Sequence, residues 1–432
     1  MAAPDVQRTV DAVWRIESPR LIAALARMMR DVGVAEDLAQ DALVAALETW
    51  PQSGVPDNPG AWLMATAKHC AIDMIRRDGR LRDKQEQIAR DLAAQLALGR
   101  SELDAVGQQI GDDLLGLIFM CCHPVLGTDA RVALTLRMLG GLTTVEIARA
   151  YLVPEATVAQ RIVRAKRTLR EARVPFEVPS GDELAPRLAS VLEVIYLIFN
   201  EGYAATVGED WLRPALCEDA LRLGRVLAEL VPREPEAHAL VALMELTASR
   251  TSARTGPGGE PVLLLDQDRS RWDLLLIGRG LRALDRAQRL PGPLGPYGLQ
   301  AAIAACHARA RRAEETDWLR IAALYDALAM VAPSPVVELN RAVAVAMGFG
   351  PAAGLELVDA LAGEPALARY HLLASVRGDL LERVGRADEA RAEFERAAAL
   401  TGNARERELM LARARACQSR RRASRAPAAT RC

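Results

Sequence analysis

The chain has 432 residues, half of them apolar, with 55 Lys and Arg against 56 Asp and Glu, so its formal net charge is −1. That length allows two to four domains with real cores, and near-neutrality excludes a protein-wide basic field, so any affinity for DNA must be local and helped by a partner. No apolar run reaches the roughly eighteen residues a membrane span needs, the N-terminus carries Asp5 and Arg8 but no apolar signal core, and seven scattered cysteines fit reduced thiols.

Ala, Leu and Arg dominate and aromatics are only 4%, which predicts an all-α fold. Residues 5–80 give four helical patterns, separated at Ser18-Pro19, at Gly33 and at the turn-rich run 51–60, and end in the basic pair Arg76-Arg77. Residues 81–111 are polar and charged and read as a linker with some helix. A second small helical unit follows over 112–178, and Pro175 and Pro179-Ser180-Gly181 close it.

Within that unit, LTTVEIARAYLVPEATVAQRIVRAKRTLREAR (142–173) reads as two helices joined by a tight turn. Thr143 or Thr144 is the expected N-cap, with Val145, Ile147, Ala148 and Tyr151/Leu152 on or near a buried face. Pro154 disfavours helical geometry at Val153 and suits the first turn of the next helix. The second helix keeps Val158, Ile162, Ala165 and Leu169 inside at helical spacing. Pro154 to Arg173 holds six basic residues against two acidic ones, the pattern of a DNA-reading helix-turn-helix.

Residues 182–432 alternate helices with short Pro/Gly turns. Gly378, Leu381, Ala390, Phe394 and Ala397, with Gly402, fall where tetratricopeptide repeats place their small and large residues. Ala353, Leu357, Ala360 and Pro365 repeat half of that pattern, and Tyr325 with Pro333 echoes it. Residues 182–290 lack a clear period, and a tail from about 418 is expected to be disordered.

Taken together, the two N-terminal units resemble the sigma-70 family of bacterial RNA polymerase specificity subunits, specifically its extracytoplasmic-function (ECF) group, over about residues 10–178. AEDLAQDALVAALETWP (35–51) looks like the clamp-binding helix, with Asp37, Gln40 and Asp41 at its polar positions. NPGAWLMATAKHCAIDMIRR (58–77) is similar to the minus-10 segment, which needs a cationic face for single-stranded phosphates and a pocket for an unstacked base. Trp62, Lys68, His69, Arg76 and Arg77 are its candidate DNA residues; His69 stands where the family often has asparagine. In the helix-turn-helix the resemblance puts Thr157, Gln160, Arg161 and Arg164 toward the minus-35 major groove and Lys166 and Arg170 on phosphates. Ala159 departs from a usually longer, polar position.

LLGLIFMCCHPVLGTDARVALTLRMLGGLTT (114–144) and VIYLIFNEGYAAT (194–206) look like the ECF subgroup with a C-terminal tetratricopeptide-like extension. The resemblance implies a non-enzymatic initiation factor in the cytoplasm. Its partners would be core RNA polymerase, through the beta-prime clamp and beta flap, and promoter DNA, with a protein or small-molecule partner for the extension and no membrane partner. The alternative is a polymerase-independent DNA-binding regulator with a tetratricopeptide-like sensor.

Other features favour structural roles. Cys121-Cys122-His123 cannot aim three adjacent side chains at one ion, so no metal and no cofactor is expected. Asp266, Asp268 and Asp273, beside Arg269 and Arg271, read as a surface salt-bridge loop, and His238, His307 and His371 lack a nucleophile pattern, so no catalytic residue is expected.

Overall fold

The computed structural model describes residues 3–77, 103–205 and 212–425; the side chains of Arg76 and Arg77 and residues 78–102 of the expected linker lie outside what it describes. Among the described residues the protein is all-α, eighteen helices with no strand. It divides into two compact units, Met1–Leu197 and Ile198–Cys432.

The first unit begins with α1 (Ala3–Met29), α2 (Val32–Ser53) and α3 (Pro59–Arg77). Three helices stand where the sequence predicts four patterns, because α1 runs through Ser18 and Pro19 without a break. Val10 on one side of the proline and Leu21, Ile22 and Leu25 on the other are all at most 2% exposed, so burial on both sides outweighs the lost backbone hydrogen bond. Likewise α2 continues past Pro51. Trp50, 1% exposed, anchors the last turn, whose carbonyl accepts from the Gly54 N–H at 3.0 Å. Gly54 has φ +85, a conformation that other residues resist.

Four helices follow: α4 (Leu103–Cys121), α5 (Thr128–Met138), α6 (Thr144–Tyr151) and α7 (Glu155–Glu171). Helix α4 occupies the end of the stretch expected as linker. Leu117, Phe119, Leu134 and Leu136 are fully buried around it. Gly116 lets the Phe176 ring approach, since a Cβ there would lie 3.2 Å from it. Helix α8 (Leu184–Tyr203) closes this unit and contains the division between the two.

The second unit holds α9 (Pro214–Leu230), α10 (Pro235–Ala248), α11 (Leu274–Arg289), α12 (Pro296–Arg309), α13 (Trp318–Val331), α14 (Pro335–Phe349), α15 (Pro351–Ala360), α16 (His371–Arg383), α17 (Ala387–Leu400) and α18 (Ala404–Arg425). Consecutive helices pair, and the repeat-pattern residues are the interlock. A Cβ on Gly378 of α16 would lie 2.8 Å from the Phe394 ring of α17, and Gly378, Leu381, Ala390, Phe394 and Ala397 are all buried. The small residue lets the helices approach and the large one fills the space, as the pattern predicts. Helix α18 extends to Arg425, past the position where the composition predicts disorder.

Candidate nucleic-acid interface

Local hydrogen bonding builds the helix-turn-helix. Thr143 caps α6: its hydroxyl accepts from the Glu146 N–H at 3.1 Å, and the Glu146 carboxylate accepts from the Thr143 N–H at 2.8 Å, a reciprocal capping box. Burial alone would raise the Glu146 pKa, but hydrogen bonds from Thr143 and from Arg15 outweigh it and hold the carboxyl below its ordinary value. Leu152, at φ 50 and ψ 42, makes the turn in the left-handed region, and Pro154 enters α7. The Thr144 hydroxyl donates to Glu155 at 3.2 Å across the two helices.

Ile147 and Ala148 of α6 and Val158, Ile162, Ala165 and Leu169 of α7 are buried as the spacing predicts. Val145, 45% exposed, and Leu152, 52% exposed, are not: α6 is only two turns long, and its buried face has room for one pair.

The groove-facing candidates on α7 divide in two. Gln160 and Arg164 are exposed, and Thr157 and Arg161 are half-exposed. Arg161 pairs with Asp129 of α5 at 2.7 Å, but that carboxylate is 71% exposed, so the pair is weak and easily exchanged. Lys166 and Arg170, the residues expected on phosphates, are each paired with a carboxylate, Lys166 half-buried and Arg170 exposed. Lys166 pairs with Glu36 of α2, and Arg170 donates to Asp31, the N-cap of α2, at 2.7 Å. Burial would raise the Asp31 pKa, but the Arg170 hydrogen bond, the Val34 and Gly33 N–H groups and the Arg170 charge together lower it.

On α2, Asp37 and Asp41 are exposed one turn apart, and Val44 follows at 52% exposure, so these three share an open face. Gln40 lies half-buried at its margin and donates to Glu36 at 2.9 Å. On α3, Trp62 is half-buried, edge-on to Trp50 with ring centroids 5.4 Å apart. The Asn58 side chain accepts from the Ala61 N–H at 3.0 Å and so starts this helix.

Of the expected cationic face of α3, only Lys68 and His69 have described side chains, and these two point in different directions. His69 is exposed, with Nδ1 2.8 Å from the Ala65 carbonyl, but Lys68 is half-buried in a different direction. Burial and the Arg27 charge lower the Lys68 pKa, and Asp113 partly opposes them. Asp113 itself pairs with Arg27 at 2.9 Å.

Sequence reasoning missed Asp31, Glu36, Asp129 and Arg137 as partners of the candidate site. Asp31 had a local signal, a capping residue before a helix; the others meet their partners only through tertiary packing.

The remaining candidates have structural roles. Cys122 is buried against Thr135 at 3.4 Å, and burial pushes its thiol up to about 11. Asp268 and Asp273 cap helices instead of forming the expected salt bridges. Arg269 donates to the carbonyls of His307 and Ala310 at 2.8 and 2.7 Å, and Arg271 donates to that of Ser252. His307 is buried edge-on to Trp318. Burial first, then the charges of Arg250 and Arg269, push its pKa down to about 3, so the ring is neutral.

Comparison with known proteins places these helices in a family. Residues 14–81 match Sigma-70 region 2, residues 117–169 match Sigma-70 region 4, and residues 187–288 match a family of unknown function, DUF6596. An uncharacterized protein of Rhizobium meliloti is 45% identical over 389 residues, covering 90% of this chain and 91% of that protein. ECF RNA polymerase sigma factor SigC of Mycobacterium tuberculosis is 30% identical over 168 residues, 38% of this chain and 78% of the relative. Probable ECF RNA polymerase sigma factor SigI of the same species is 28% identical over 169 residues, 39% of this chain and 57% of the relative. With regions 2 and 4 in order on one chain, and the helix-turn-helix formed within the second, this protein belongs to the ECF group of the sigma-70 family of RNA polymerase sigma factors.

Proposed function

We propose that the chain reads a two-element promoter as a subunit of RNA polymerase, with the work divided over 5–80, a linker at 81–111, 112–178 and a C-terminal extension at 182–432. The open face of α2, with Asp37, Asp41 and the marginal Gln40, docks on the beta-prime clamp. Trp62, Lys68, His69, Arg76 and Arg77 of α3 engage the opened minus-10 strand. Thr157, Gln160, Arg161 and Arg164 of α7 read the minus-35 element, where arginine matches guanine and glutamine matches adenine. Lys166 and Arg170 hold phosphates once freed from their carboxylates, and the 112–178 domain meets the beta flap. The C-terminal helices regulate this activity through a protein or small-molecule partner. The setting is the cytoplasm, and the family is not an enzyme class.

The observation that carries this reading is a helix-turn-helix with a capped first helix and an exposed Gln160–Arg164 ridge, on a chain with formal net charge −1. Such a ridge can choose bases, but the chain lacks the charge excess to bind DNA tightly alone.

Run-off transcription with core polymerase and fragments of the source genome tests it. The wild-type chain is expected to start transcripts at discrete sites. Arg161→Ala with Arg164→Ala should retain core binding and lose initiation by about 1–3 kcal/mol per base contact. The absence of both a core complex and site-specific transcripts would refute the reading.

A further inference from the structure

Lys166, proposed for a DNA phosphate, and Gln40, proposed for polymerase, meet at a single buried carboxylate, and Arg170 meets a second one close by. Glu36 is 4% exposed. It pairs with Lys166 of α7, accepts from Arg137 Nε of α5 at 2.6 Å and accepts from Gln40 Nε2 at 2.9 Å. One turn earlier, Asp31 takes Arg170 Nε at 2.7 Å with one oxygen, while its other oxygen caps α2 at the Gly33 and Val34 N–H groups.

The turn before the helix-turn-helix is seated on the same side. Gly141, at φ +69, has a Cβ position only 3.3 Å from Ser18 Oγ and 3.4 Å from Arg15 Cα of α1, and Arg15 donates to Glu146 at 2.9 Å. Three ion pairs and a close backbone approach thus fasten α6 and α7 onto α1 and α2.

We propose that Glu36 and Asp31 form an electrostatic latch that closes the helix-turn-helix onto the first helices in the free chain and withholds Lys166 and Arg170 from DNA. The proposal rests on reading α7 as the promoter helix. A DNA phosphate offers the same anionic oxygens as these carboxylates, so the two compete for one pair of cations. Lys166, 18% exposed and paired, cannot serve both. Gln40 gives polymerase a handle on the latch: a polymerase group that takes its amide removes one of the three donors to Glu36. By linkage, opening the latch for DNA then favours polymerase by the same factor. The latch is built from ion pairs, and two of its cations are partly solvated, so it is poised to open by exchange without unfolding a core.

A zero-length carbodiimide tests this on the full wild-type chain. It joins carboxylates only to amines they already touch, and the chain has just three lysines, Lys68, Lys84 and Lys166. The expected product in free protein is a Glu36–Lys166 isopeptide, which falls away on saturation with core polymerase and promoter DNA. In parallel, the full chain carrying Asp31→Asn and Glu36→Gln, checked by circular dichroism for retained helix, is titrated with a random-sequence duplex at about 50 mM salt. If the latch is closed nine-tenths of the time, affinity rises about tenfold over wild type, and adding Lys166→Ala erases the gain.

No Glu36–Lys166 product in the free chain, or equal affinity of the variant and wild type, overturns the latch and leaves the promoter reading intact. A product undiminished in the polymerase–promoter complex overturns its release. The product and the tenfold gain, with no core complex and no initiation, would instead refute the sigma reading while the latch stands.

Discussion

Each of the two units is held together internally, and by different means. In the first, charged side chains join residues far apart in sequence: Arg15 to Glu146 across 131 positions, Arg137 to Glu36 across 101 and Arg170 to Asp31 across 139. In the second, charged contacts run between neighbouring hairpins. Arg377 reaches Asp359 and Glu393 across 18 and 16 positions, and Arg413 reaches Asp379 and Glu382 across 34 and 31 while lying 4.3 Å from the Phe394 ring centroid. Apolar interlock carries that stack, from Leu339 through Leu373 and Phe394 to Met410. A stack whose layers each bury their neighbours is hard to open in parts. The ion pairs that hold the helix-turn-helix to α1 and α2 lie instead within reach of a competing anion.

The largest effect expected from this contrast is in the second unit. Phe394→Ala should cost about 3–5 kcal/mol in denaturant unfolding, because Gly378 leaves nothing on the facing helix to fill the cavity. In the first unit, Glu36→Ala strands two cations and should cost about 1–3 kcal/mol, a loss that shrinks as salt rises, whereas that of Phe394→Ala does not. Gly141→Ala should cost about 1–2 kcal/mol, since an alanine at φ +69 is strained and its Cβ meets α1. Thr143→Ala should lower stability by about 1 kcal/mol through the lost cap, readable as a lower melting temperature of the first unit.

The smallest effect is the pH dependence that two carboxylates give the first unit. Asp31 and Glu146 both have folded pKa values below their ordinary 3.8 and 4.5. Their contribution is therefore complete above those ordinary values and is lost as the pH falls through the lowered ones. Unfolding free energy followed from about pH 6 down to about pH 3 should decline for wild type, and by less for Asp31→Asn. An identical decline would show that the Asp31 contact adds nothing.

Much of this molecule is legible in the sequence because local chemistry decides it. Thr143, Glu146 and Pro154 fix the helix-turn-helix within a dozen residues, and the spacing of Val158, Ile162, Ala165 and Leu169 names its buried face. Gly378 and Phe394 announce a hairpin because their contact repeats a known small-to-large pattern. Pro19 misleads: its local signal is a break, and only the burial of Val10 and Leu21 overrides it. The closed arrangement of the candidate interface is illegible for the same reason. Glu36 looks like an ordinary polar position on an amphipathic helix, and nothing near it in the chain points to Arg137 or Lys166. Nor does anything in the sequence near Lys68 show that Arg27 and Asp113 stand beside it.

The most direct test of the account is the affinity of the full chain for a promoter fragment recovered by run-off selection, measured with and without core polymerase. The account predicts weak binding by the free chain, and protection of both promoter elements once polymerase is present, with loss of minus-35 protection for Arg161→Ala with Arg164→Ala. Tight, sequence-specific binding by the free chain, unchanged by polymerase, would contradict it and favour a polymerase-independent regulator.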